Sequence, residues 1–286
     1  MHRIWFAPAV AVSLVASVAS VAPAQCRVPT TSNEAKLLYY YAVPIAYSMP
    51  GYVTRVPTGG VLLGGDLTVI PDPDPVLQTT SLCFRQKKES TSLSRVLPRP
   101  RLAIGLPLGF VAEATYLPPV TVSGATPNLF SAALARVFAL VPTTSLVLRA
   151  HTTIGQVQGP ITCPASSLQQ RSDTLPCFGT KVSRDTYHPN MVGGEAALAW
   201  SDPTGRFGVM GGAGVTSLNP RFQVSFVNGN GLPDNTKVEP VTSVTRPAVF
   251  AGGYFALLDR VDVNAQVYDV PKDRTVFRVG GSIRLR

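Results

Sequence analysis

Ten polar side chains recur at alternate positions along the apolar stretches of this sequence: Arg101, Glu113, Arg149, His151, Glu195, Arg206, Arg246, Asp262, Arg278 and Arg284. Arginines and carboxylates at this spacing suit two kinds of chemistry. Gathered round a passage, they form a positively biased lining that favours anions. Packed against one another, they neutralise in Arg–carboxylate networks and conduct nothing. A third use is proton transfer, since His151 and Glu195 fall on consecutive stretches of the same kind and form a conceivable His–acid pair. Only His151 and His188 remain after residue 24, and His188, before Pro189, has no nucleophile beside it. The expectation is a protein that is not an enzyme and needs no cofactor and no metal.

Side chains at alternate positions need strands to hold them on one face. Leu102, Ile104, Leu106, Leu108, Phe110, Ala112, Ala114 and Tyr116 share one face of 101–117, with Arg101, Glu113 and Thr115 on the other. Leu146, Leu148, Ala150 and Ile154 oppose Arg149, His151 and Thr153, and Val261, Val263, Ala265 and Val267 oppose Asp262, Asn264 and Gln266. A soluble sandwich with its apolar face inward would show the same alternation. Strand length favours a membrane barrel instead, because about 10 residues cross a bilayer at the usual tilt. Turn lengths agree. Counted back from the C-terminus, 257–260, 201–205 and 141–144 are tight, whereas 158–188, 228–235 and 116–127 are long and fall on the opposite side, together with the short 271–273 turn. Short periplasmic turns and long outer loops are the habit of outer-membrane barrels.

The expected strands are 61–70, 76–97, 101–117, 127–140, 144–157, 190–201, 206–227, 237–257, 260–270 and 274–286, ten in all, with eight or twelve also compatible. Residues 206–227 change phase at Asn219-Pro220, which predicts a bulge. In 127–140, Arg136 shares its face with Phe130, Leu134 and Phe138, which the alternation does not explain. One stretch, Thr31 to Ser48, has helical character: Ser32 or Asn33 can cap it, Glu34 lies in the first turn and Pro44 ends or kinks it. It is either a periplasmic leader or a plug in the barrel mouth.

Composition sets the compartment. The chain is 45% hydrophobic and 14% charged with mean hydropathy +0.19, against about 25% charged in a soluble domain. After residue 24 no window approaches the roughly 20 apolar residues of a membrane helix. Residues 1–24 read as a signal peptide: Arg3, an apolar run from Ile4 to Val21, then Ala22-Pro23-Ala24 before the cleavage point. The residues before Cys26 do not suit lipidation. Four cysteines after such a signal imply an oxidising compartment. Of three connectivities, Cys163 with Cys177 and Cys26 with Cys83 is the favoured pairing. The net charge of +9 is scattered rather than gathered in a stripe, which together with the compartment excludes nucleic acid. The Pro71-Asp72-Pro73-Asp74-Pro75 run reads as a stiff solvated turn rather than a calcium site.

In the last strand Phe277, Val279, Gly281, Ile283 and Leu285 alternate with Arg278, Gly280, Ser282 and Arg284. The order Arg278, Gly280, Ile283, Leu285 resembles the C-terminal assembly signal of bacterial outer-membrane β-barrels, with aliphatic residues where that signal usually has aromatics and Arg286 as the last residue. The stretch Pro98 to Phe110, followed by Tyr116-Leu117-Pro118-Pro119, is similar to outer-membrane transporters for hydrophobic compounds, which are larger barrels with a plugging N-terminal segment. His151-Thr152-Thr153, by contrast, lacks the His-x-Ser arrangement of outer-membrane phospholipases. These resemblances imply an all-β fold, a single antiparallel transmembrane β-barrel of about ten strands with a short N-terminal helical segment. The expected domains are a signal peptide over 1–24, a periplasmic or luminal segment over 25–60 and an outer-membrane barrel over 61–286. The expected location is the bacterial outer membrane, and the expected partners are outer-membrane lipid, the barrel-assembly machinery and an unidentified small-molecule ligand. The expected function is structural or surface-interacting. The alternatives are a small channel or transporter for anionic or hydrophobic molecules through an Arg-lined lumen and, more remotely, a soluble secreted β-sandwich.

Overall fold

A computed structural model describes residues 25–49, 51, 53–78, 83, 95–122 and 124–285, so the expected signal peptide lies outside the described residues. Ten strands meander up and down and close on themselves. They are β1 (Val61–Val69), β2 (Val96–Gly105), β3 (Phe110–Leu117), β4 (Thr126–Val141), β5 (Thr144–Gly159), β6 (Met191–Ser201), β7 (Phe207–Leu218), β8 (Val244–Leu258), β9 (Val261–Val270) and β10 (Arg274–Arg284). Closure is antiparallel: β10 pairs with β1 from Phe277↔Val69 to Arg284↔Leu62. At the far side of the ring β5 pairs with β6 from Thr144↔Trp200 to Thr153↔Met191. A closed ring leaves no edge strand with unpaired backbone, which is what a bilayer demands.

The two faces of this wall are inverted relative to a soluble protein. Leu63, Phe130, Leu148, Val209, Phe277 and Ile283 point outward and are exposed, while Arg101, Glu113, Arg149, Glu195, Asp262 and Arg278 point inward and are buried. That inversion rules out the soluble sandwich, whose apolar faces would meet inside. Short turns at 106–109, 142–143, 202–206 and 259–260 share one rim, and the long connections share the other. The short-turn rim is the periplasmic one.

Three strand expectations need correction. The stretch 101–117 is a hairpin rather than one strand: Pro107-Leu108-Gly109 form a tight turn in which Leu108 and Gly109 have φ of 61° and 75°. The apolar alternation runs through that turn unbroken, so only Pro107 and Gly109 betray it. The expected strand 76–97 lies largely outside the described residues; within them, Pro75–Gln78 is a single 3-10 turn and the strand begins at Val96. The bulge expected at Asn219-Pro220 is instead a strand end. β7 stops at Leu218, and Arg221–Gln223 resumes in a separate extension above the barrel.

That extension is an outer cap. From the top of β5 the pairing passes to Asp185–His188, then Arg221–Gln223, then Lys237–Pro240, and finally to Gln25–Val28, which runs parallel to its neighbour. Both expected disulfides are present. Cys163–Cys177 closes a loop of the cap, and Cys26–Cys83 ties its last strand to the outer connection between β1 and β2. The chain therefore enters the barrel from the outer side. Helix α1 (Asn33–Ile45) then descends inside the ring, and β1 starts from the periplasmic rim.

Candidate functional site

Helix α1 is capped at its upper end by Ser32, whose hydroxyl accepts from the Ala35 amide at 3.1 Å. Pro44 lies in its last turn and Ala46 caps it. Almost all of it is buried, because it packs against the inner wall on several sides. At the top Tyr187 of the cap donates to the Leu38 carbonyl at 2.7 Å and Tyr40 donates to the Pro71 carbonyl.

The helix C-terminus presents carbonyls with no intrahelical partner and carries the negative end of the dipole. Arginines from the wall meet it. Arg99 donates to the carbonyls of Pro44 (3.2 Å), Ile45 (2.9 Å) and Ala46 (3.0 Å). Arg278 donates to Ala46 at 3.0 Å and Val43 at 3.4 Å, and also to the Ser48 hydroxyl. Lower down, Arg149 donates to the Tyr47 carbonyl at 2.6 Å and Arg101 to that of Ser48 at 3.2 Å. Gln266 donates to the Met49 carbonyl at 2.6 Å. The guanidiniums of Arg101 and Arg149 also lie over the Tyr47 ring, 4.4 and 4.8 Å from its centre.

The same arginines are paired sideways with carboxylates. Arg149 bonds Glu113 at 2.8 Å and Glu195 at 2.9 Å, and Arg101 bonds Asp66 and stands 3.5 Å from Glu113. Arg55, below the helix, pairs with Asp262. Such a network holds the luminal segment in place, because moving it would require breaking many hydrogen bonds at once.

Of the ten residues singled out in the sequence, Arg101, Glu113, Arg149, His151, Glu195, Asp262 and Arg278 are brought together inside the barrel. Arg246 stands at the upper rim, 2.7 Å from Asp273 and with its guanidinium 4.9 Å from the centre of the Tyr39 ring. In that outer turn burial raises the Asp273 carboxyl above its usual range, and Arg246 pulls it back. Arg284 sits at the lower rim and donates to the Asp259 carbonyl. Arg206 is not a lining residue: it is exposed in the periplasmic turn between β6 and β7. The strand that seemed to begin there begins at Phe207, one residue later. His151 Nε2 lies 3.9 Å from Glu195 Oε1, beyond hydrogen-bond reach, and Glu195 is held by Arg149 instead. Arg278 and Gly280 of the C-terminal signal face inward; Ile283 and Leu285 face outward.

Sequence reasoning missed Arg99, Asp66 and Arg55, and placed Gln266 on the polar face without singling it out. Arg99 shares its parity with Arg101, which was the available signal; its two flanking prolines disguised it as a turn.

Beside the helix lies an apolar cavity of about 130 Å³. Leu37, Leu38, Tyr41 and Ile45 form its inner side, and Leu97, Leu117 and Val157 its wall. Pro71, Asp72 and Pro73 stand at the outer end, beneath the long connections.

No protein-family model matches the sequence, and no curated protein does. Among solved structures the chain is similar to Ail, the attachment invasion locus protein of Yersinia pestis, at 8% identity over 79% of this chain and 97% of that one, with a TM-score of 0.30. The toluene transporter TodX of Pseudomonas putida shares 11% identity over 85% of this chain and 71% of its own, with a TM-score of 0.35. The translocator domain of the autotransporter NalP from Neisseria meningitidis shares 10% over 79% and 88%, with a TM-score of 0.37. These likenesses are distant, and the geometry of the chain itself carries the assignment. A ring without edges, apolar outside and charged inside, buries its backbone and shows its hydrocarbon to the surroundings. Only a bilayer asks for that inversion, and the chain is accordingly a ten-strand transmembrane β-barrel that holds its own N-terminal segment as a plug.

Proposed function

We propose that this barrel takes up a small apolar molecule from the outer side into the cavity between helix α1 and the wall. The observation that carries the reading is the cavity: it is lined chiefly by leucine, valine, proline and tyrosine, with Glu34 and Asp72 also in its lining, and it reaches the outer connections rather than the opposite rim. At about 130 Å³ it is close to the roughly 150 Å³ cavity lined by Leu, Ile and Phe that stays dry and accepts benzene. A monocyclic aromatic or short aliphatic compound fits that space. The anion-pore alternative is less well supported, because the arginines that would line the passage are bonded to carboxylates and to plug carbonyls. A surface-interaction role is supported by one feature of its own, the disulfide-tied cap of four short strands above the barrel.

The test is fluorine NMR of fluorobenzene with the purified barrel in detergent micelles. Broadening beyond that of empty micelles is expected for the wild type and should vanish in Ala125→Trp, which fills the cavity from the connection between β3 and β4 while the heat-dependent gel shift is retained. Equal broadening in both proteins would sink the reading.

A further inference from the structure

One part of the outer wall departs from the rest. Arg136 of β4 points outward into a face otherwise built from Phe130, Leu134 and Phe138, and is exposed there. No carboxylate among the described residues pairs with it. Its guanidinium carbon lies 4.6 Å from the centre of the Phe138 ring and 5.2 Å from that of Phe110. Phe110 is its partner across β3, and Phe138 is two residues nearer the short-turn rim. The cationic head is thereby drawn down toward the periplasmic interface, with aromatic faces on its flanks.

Beside Arg136 a shallow groove of about 690 Å³ runs across β5, β6 and β7. It exists because small residues meet in two neighbouring rows of the ladder. In one row Leu134 pairs with Ala150, Ala150 with Gly194, and Gly194 with Val215; in the next, Arg136 pairs with Leu148, Leu148 with Ala196 and Ala196 with Ala213. Leu134, Leu148 and Val215 stand as walls over that low floor.

We infer that Arg136 and this groove bind one phospholipid of the periplasmic leaflet. The phosphodiester pairs with the guanidinium, and an acyl chain lies along the small-residue floor. Charge complementarity selects this occupant. An outward arginine in a barrel wall is tolerated near the interface, where the bilayer itself supplies an anion, and a phosphate accepts a guanidinium bidentately. The turn parity places this end of the wall in the periplasmic leaflet, so the phosphate comes from a phospholipid headgroup. The inference does not depend on the luminal cavity.

Native mass spectrometry of the intact barrel with dioleoylphosphatidylglycerol tests it. The wild type should carry one lipid per barrel. Arg136→Gln should lower the bound fraction roughly tenfold, the loss expected when a charge-assisted pair is removed. Ala196→Trp, which fills the groove without touching the arginine, should lower it to a similar extent. Both substitutions face the lipid, and retention of the heat-dependent gel shift checks that the variants fold. Undiminished lipid binding in either variant overturns the site. So does a two-barrel species in the wild type that both substitutions abolish, since the groove would then be an interface between copies.

Discussion

Arg99 holds the end of helix α1. It is 2% exposed and stands between two prolines, and its guanidinium satisfies three carbonyls at the end of helix α1. Removing a buried partner leaves those acceptors unsatisfied, at about 1–3 kcal/mol for each group. Arg99→Met keeps most of the side-chain length and loses every donor. The expected result is a lowered urea midpoint together with intermittent conductance in planar bilayers, as the lower end of the helix comes away from the wall. A quiet bilayer and an unchanged midpoint would show that Arg278 alone holds the helix end. Arg136, which the strand pattern left unexplained, is accounted for at this same scale: two phenylalanine rings and the nearby interface make an outward charge tolerable.

At the scale of elements, the plug is held both by covalent and by steric means. The Cys26–Cys83 bond spans 57 residues and fastens the cap strand to the outer connection. Replacing both cysteines by serine should cost about 2–4 kcal/mol. The effect should be local, because the ten strands close without that bond. Limited proteolysis should then cut between residues 25 and 60 while the barrel fragment stays protected; simultaneous loss of both would mean that plug and barrel unfold as one unit. At the periplasmic end the descending chain presses against β2: the Gly59 amide donates to the Gly105 carbonyl at 2.8 Å, and the Gly105 amide donates to Gly60 at 2.9 Å. A methyl group at Gly105 would fall 1.9 Å from the Pro57 carbonyl oxygen, so this crossing requires glycine. The hairpin between β2 and β3 carries a lesson about legibility. Alternation is blind to a turn that preserves parity, and only Pro107 and Gly109 marked it.

For the whole molecule, closure and inversion predict a distinctive behaviour on gels. The unboiled barrel should resist dodecyl sulfate and change mobility on heating, because every ladder bond is internal and no edge offers a place for unfolding to begin. Absence of a shift, with recovery in the soluble fraction, would refute the membrane barrel. The plugged lumen further predicts little steady conductance in the wild type.

The all-β character, the strand number, the inside–outside alternation and the common rim of the tight turns at 141–144, 201–205 and 257–260 were legible in the sequence, because each depends on neighbours within one strand or one turn. Of the three connectivities open to four cysteines, the favoured one is the one present. Two things were settled only by the tertiary structure. One is that the N-terminal segment enters from the outer cap and threads the lumen: helical spacing shows a helix but carries no information on which rim it enters from. The other is that the arginines are consumed by the plug carbonyls and by carboxylates of neighbouring strands. A side chain's parity says which face it occupies, whereas its partners come from strands tens of residues away and from carbonyls that no sequence pattern displays.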